Sequence, residues 1–186
     1  MRQQCRWFAG LGLALVLALG PADTRAADVY QEPAAFLGEV FQGEVPDASV
    51  LWLTGDLKQE TRDVVGYDLK GLRLRYWRRD NRTAWILEEI GKTKPITTGI
   101  AVSDGAIERL QVLIYRESHG WEVRHSFFTD QFKGLTLGDD ARLSEQIDGI
   151  SGATLSVRAL ETLARLALCL DAHVRAAGPQ PGACNG

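Results

Sequence analysis

Asp148-Gly149-Ile150-Ser151-Gly152-Ala153-Thr154 runs without a break into Leu155, Ala159, Leu160, Leu163, Leu166, Ala167 and Leu170. The second part has the spacing of an amphipathic helix with one apolar stripe. The first part is made of turn-formers and small residues. Together they predict a long C-terminal helix whose start is a designed junction. Ser151 suits the N-cap of that helix, and Gly152 and Ala153 add almost no bulk, so a ligand could approach the backbone. Amides in the first turn of a helix have no intrahelical partner and carry the positive end of the dipole. A phosphate at that point is stabilised by those donors, and Thr154 places a hydroxyl beside them. A cap and a tight turn alone would also account for these residue types.

Upstream of this junction the pattern is that of a sheet. Leu72, Leu74 and Tyr76 alternate with Arg73, Arg75 and Trp77, as in a half-buried strand. A polar turn over Arg78–Arg82 leads to a second strand, Thr83–Leu87. Ile96–Val102 and Ile107–Tyr115 read as another pair, joined at Asp104-Gly105, a strong hairpin signal. Leu110, Val112 and Ile114 are expected on one face. Arg116–Gly120 interrupts, Trp121–Val123 resumes as a short strand, and Phe127, Phe128 and Phe132 form an aromatic cluster. Leu143–Ile147 reads as a helical turn. Nearer the start, Pro33–Phe41 has helical spacing with Gly43 as its stop, Val50–Thr54 reads as a strand, and Asp56–Val65 as a helix capped by Asp56 and ended by Gly66. The fold class is therefore α+β, a twisted antiparallel sheet packed with helices.

The N-terminus bears on the compartment. Arg2 and Arg6 precede an apolar run from Trp7 to Gly20, and Thr24-Arg25-Ala26 offers small residues for cleavage. Residues 1–26 are thus expected to be a secretory signal peptide. The run is about 14 residues, short of the roughly 20 that span a bilayer. Its removal takes away three arginines and one aspartate, so the formal net charge goes from −3 to −5. No long basic run remains, which argues against nucleic acid as a partner. Export permits Cys169 and Cys184 to pair. These cysteines, with His119 and His173, show no metal-ligand spacing, and no metal site is expected. The chain divides into the leader, a lead-in over 27–93 that belongs to the same globular unit, a domain over 94–177, and an irregular tail over 178–186.

The stretch from Asp148 through Ser156 resembles the flavinylation motif of the FMN-binding domain family, Asp-x-x-Ser/Thr-Gly-Ala-Thr, and matches every defining position. That family includes the flavin-carrying subunits of the sodium-pumping NADH:quinone reductase and the Rnf complex. The similarity extends over roughly Lys94–Leu170, through Pro95-Ile96-Thr97, the Asp104-Gly105 hairpin, and the loop from Arg116 to Glu122. The resemblance implies FMN joined through its phosphate to Thr154. It implies that Ser151, Gly152, Ala153 and Leu155 line the phosphate and ribityl chain, that Asp148 organises the loop and helps hold Mg²⁺ or the Thr154 hydroxyl during transfer, with a turn-stabilising aspartate as the alternative, and that Glu117, Ser118, Gly120 and Trp121 approach the flavin ring. Trp121 as a core residue is the alternative. His119 could donate a proton to the flavin, or be an ordinary loop histidine, and Lys94 could touch the flavin, or be an ordinary surface lysine. The implied maturation partner is an FAD:protein FMN transferase, and the implied setting is periplasmic or otherwise exported.

The expected function is an electron-transfer carrier working with membrane or periplasmic redox proteins, rather than a stand-alone catalyst. Alternatives are a flavin-dependent reductase of a small acceptor and a non-redox interaction module with a vestigial motif. No GxGxxG follows a strand to hold a nicotinamide nucleotide, and no nucleophile–base constellation suggests a hydrolase.

Overall fold

A computed structural model describes residues 27–178. The expected leader, Cys184 and nearly all of the expected tail lie outside the described residues. The elements are β1 (Asp28–Val29), α1 (Pro33–Val40), β2 (Ser49–Trp52), α2 (Gly55–Val65), β3 (Arg73–Arg79), β4 (Arg82–Ile90), β5 (Pro95–Ser103), β6 (Ala106–Tyr115), α3 (Ser126–Thr129) and α4 (Thr154–Ala176). Two short 3₁₀ turns, Trp121–Arg124 and Asp130–Phe132, flank α3. The six strands form one antiparallel sheet in the order β1-β6-β5-β4-β3-β2. The α+β class expected from the sequence is what the structure has.

The two faces of the sheet are covered unequally. On the inner face, α4 lays Leu160, Leu163, Ala164 and Ala167, all fully buried, against Trp85, Ile96, Ile100 and Val102. Each leucine buried in this way stabilises the fold by about 1.5–3 kcal/mol. Tyr76 stacks on Trp85 with ring centroids 5.1 Å apart. On the outer face, the short α1 packs Phe36, Leu37, Val40 and Phe41 over Ala84, Ala101 and Leu113.

Polar groups under α4 are paired. Asp171 is fully buried. It accepts from the Thr83 hydroxyl at 2.7 Å and from Arg175 Nε at 2.7 Å, and Thr83 Oγ1 in turn accepts from the Trp85 indole at 3.0 Å. A buried carboxylate is tolerated only when its lone pairs are met in this way.

Several local expectations are corrected. The cap of α2 is Thr54, with no side-chain bond, rather than Asp56, which lies inside the first turn; Gly66 ends the helix in the left-handed region as expected. Arg78 and Arg79 belong to β3, so the turn shrinks to Asp80-Asn81. Trp121–Val123 is a 3₁₀ turn and not a strand, because the chain reverses at Gly120, where φ is 84°. Leu143–Ile147 is irregular, with one isolated bridge, Leu137–Leu143, and bonds between Ser144 and Thr136 beside it. In α3 successive side chains point about 100° apart, so Phe128 is buried while Phe127 stays 64% exposed. Leu155 leaves the apolar stripe for the same reason: it lies roughly 140° around α4 from Leu160 and is exposed.

The expected face of β6 is also wrong at one position. The ladder pairs Thr98 with Val112 but Thr97 with Ile114, so Leu113 is an extra residue. A second irregularity leaves Glu108 between the Ala101–Arg109 and Val102–Ile107 pairs. Each bulge shifts the two-residue alternation by one. Leu110 and Val112 therefore join the inner core, Leu113 and Ile114 both join the outer one, and Tyr115 returns to the inner face.

Candidate functional site

The site is built where β6 ends and α4 begins. Ala153, not Ser151, is the N-cap: its carbonyl accepts the first helical bond from Val157 at 3.0 Å, and no side chain caps the helix. The Ser151 cap expected from the sequence is thus displaced by two residues, because Ile150 to Ala153 closes a separate turn at 3.0 Å. The amides of Thr154, Leu155 and Ser156 precede that first bond and are the donors a helix start leaves over. Thr154 is exposed, as are Asp148, Ser151 and Gly152. Gly152 has φ of 83° and open space where a Cβ would stand. A phosphate-sized group on Thr154 would thus lie beside the leftover amides of the first turn, with Gly152 adding no side chain to its approach.

The loop after β6 is tied to this junction through Tyr115 and Ser156. The Tyr115 hydroxyl donates its one proton to the His119 carbonyl at 2.6 Å. It stands 2.9 Å from Ser156 Oγ, so Ser156 is the donor of that second bond. Burial raises the Tyr115 phenol above its ordinary value, and the nearby charges of Glu117 and Glu122 add to the effect, which keeps the proton in place. Gly120 then packs against the helix start. A Cβ there would come within 3.0 Å of Ser156 Oγ and Tyr115 Oη and 3.2 Å of the Ala153 methyl. With φ at 84° as well, the position suits only glycine.

Of the loop residues picked out by sequence, the structure brings Gly120 against the motif and turns Glu117 elsewhere. Glu117 accepts the amides of Lys92, Thr93 and Lys94 at 2.6, 2.5 and 2.8 Å, and the Thr93 hydroxyl at 3.1 Å. Burial by itself would raise this carboxyl. The amides of Lys94 and Thr93, the Thr93 hydroxyl and the Lys92 amide together outweigh that and hold it below the usual carboxylate range. Glu117 is thus the clamp of the turn between β4 and β5. Lys94 contributes its amide to the clamp, and its side chain is exposed. Ser118 and His119 are exposed and paired with each other, Oγ to Nδ1 at 3.0 Å.

Trp121 is 43% exposed, which removes its reading as a core residue. It meets His125 edge-on at 5.5 Å, and His125 stacks with Phe127 at 5.9 Å. Arg124 lies over the Trp121 ring at 4.9 Å and over Tyr30 at 4.3 Å. An exposed row of three aromatic rings thus starts one residue after the Gly120 contact. Asp148 is fixed through its backbone, whose amide donates to Gln131 Oε1 at 2.8 Å.

Tyr115, Ser156, His125, Phe127 and Gln131 were not picked out as site residues by the sequence. Ser156 stands in the motif's own extension, and Tyr115 at the end of a strand. Their pairing spans 41 positions, and no local pattern carries it. Cys169 is buried, which pushes its thiol up to about 11, with Glu60 adding to the shift. No cluster of three histidine, cysteine or acidic side chains suited to a metal occurs among the described residues.

Residues 91–169 match the family model described as the FMN-binding domain. No curated protein and no solved structure matches the chain. The matched stretch runs from the Glu117-clamped turn through β5, β6 and the aromatic row into α4 and so contains the whole junction just described. Over these residues the chain carries an FMN-binding domain.

Proposed function

We propose that the chain carries FMN as a phosphoester on Thr154 and serves as an extracytoplasmic electron carrier. The observation that carries this reading is the exposed Thr154 hydroxyl in the first turn of a 23-residue helix that has no side-chain cap. Attachment replaces the Thr154 O–H bond by an O–P bond, with FAD as donor, AMP as the leaving group, and a dedicated FAD:protein FMN transferase as catalyst. The free amides of Thr154, Leu155 and Ser156 are placed to hold phosphate oxygens. Gly152 leaves room for the ribityl chain. Leu155 and the row Trp121, His125 and Phe127 offer apolar and aromatic surface to a flat ring.

Once bound, the flavin supplies the one- and two-electron chemistry, and the protein supplies attachment and surroundings. The rigid loop keeps its contribution small and fixed. Tyr115 and Ser156 hold it to α4, while Glu117 holds its other end to the turn at residues 92–94. A covalent link also suits a protein outside the cytoplasm, since it removes the dissociation that would otherwise deplete a cofactor with no local supply.

Co-production with a flavin transferase, followed by intact-mass measurement, tests this directly. Wild type is expected to gain one FMN less one water, and Thr154→Val none. An unmodified wild type that is folded, or an adduct that persists in Thr154→Val, overturns the assignment.

A further inference from the structure

Among the described residues, the outer face of the sheet is covered by α1 over β4, β5 and β6, with Trp77 of β3 at its margin. Over β2 and β3 it carries a different chemistry. Trp77 packs on the outer cluster, so by alternation Arg73, Arg75 and Arg79 point to the same side. On β2, Leu51 faces the inner core, which places Val50 and Trp52 outward. The register sets Trp52 directly opposite Arg73 and Val50 opposite Arg75.

Trp52 is 58% exposed, and both Arg73 and Arg75 are exposed. Neither arginine makes an ion pair among the described residues. Nearby carboxylates are paired with other arginines: Glu44 with Arg79, Glu88 with Arg116, Glu108 with Arg82 and Glu39 with Arg109. A chain of net charge −3 therefore presents a flat strip of indole and unspent guanidinium.

We propose that this strip docks the protein on an anionic lipid bilayer. Indole rings settle at the boundary between headgroups and acyl chains, and guanidinium groups bind phosphate in a fork geometry. Position decides between lipid and a redox partner. The strip lies on the face opposite α4, and β3 is three strand spacings, about 14 Å, from the β6 strand that ends at Tyr115. A protein exchanging electrons with a flavin on Thr154 must approach the α4 side. Contact through β2 and β3 instead leaves that side free, as a surface tether would.

The test is co-sedimentation of the full chain with phosphatidylcholine vesicles, with and without phosphatidylglycerol, at low and high ionic strength. Binding is expected only with phosphatidylglycerol and is expected to fall with salt. The double substitution R73E/R75E should weaken it by about thirtyfold or more, from about 1 kcal/mol per basic residue. R73K/R75K should stay within a few-fold of wild type, which keeps the test valid if charge reversal disturbs folding. W52S should weaken binding without removing its salt dependence. Thr154→Val should bind as wild type does, which separates this inference from the flavin assignment. Equal binding to both lipids, no binding to either, or indifference to R73E/R75E overturns the proposal; an acidic protein partner would give the second result.

Discussion

The two ends of α4 have opposite arrangements. At the C-terminal end every conspicuous polar group is spent within the protein. Asp171 is held by Thr83 and Arg175, and Arg78 reaches from β3 to the carbonyls of Val174 and Gly178 at 3.0 and 3.3 Å. His173 and Arg175 place basic groups in the last turn, where the dipole favours them. At the N-terminal end no side chain caps the helix, and Thr154 is exposed. One end of a single helix is built for anchoring. The other has no side-chain cap among the described residues.

That contrast can be broken at either end. The largest stability effect is expected for Asp171→Ala, about 2–3 kcal/mol by urea unfolding. A fully buried ion pair costs about 3–5 kcal/mol to break, but Arg175 is 37% exposed and recovers water. The fraction of folded molecules that accept flavin should be unchanged. A loss below about 0.5 kcal/mol, the scale of an ordinary surface change, would mean that the C-terminal end is no anchor.

Gly120→Ala probes the other end. It forces a Cβ into the left-handed region and onto Ser156, Tyr115 and Ala153, at a cost of about 1–2 kcal/mol. Flavin loading should fall with it, read as the adduct fraction by mass. Full loading in a destabilised Gly120→Ala would separate the loop from the site.

The smallest effect is the sharpest in pH. Glu117 has its carboxyl depressed in the folded state, so its contribution is present above the ordinary glutamate value and is lost as pH falls through the folded one. The difference in thermal midpoint between wild type and Glu117→Gln should therefore be widest near neutral pH and shrink on acidification. A difference that grows in acid would show that the clamp works otherwise than through charge.

These features were unequally legible in the sequence. The Asp104-Gly105 hairpin, the Gly66 stop and most of the α4 stripe are local, and residue type and spacing reveal them. The bulges at Glu108 and Leu113 are not, because an extra residue in a strand looks like any other apolar or polar position until its partner strand is known. The motif pointed to Thr154, and helix physics explained why a phosphate suits it. The same motif misplaced the cap at Ser151, since the choice between two adjacent turns is made by Ile150 and Val157. Glu117 carries its chemistry in its side chain but owes its place to three amides more than 20 positions away. Only the folded chain shows that it clamps the turn at residues 92–94.

The bulge at Leu113 has a consequence for how this domain can vary. It absorbs one residue two positions before Tyr115. Deleting Leu113 would restore plain alternation and leave the phenol on the inner face, because Val112, Ile114 and Tyr115 would then lie inner, outer and inner. Tyr115 would still face Ser156 and Gly120, and the change would fall on the outer cluster, which would lose one side chain. The length of β6 could thus vary by one residue at this bulge without turning Tyr115 away from the motif.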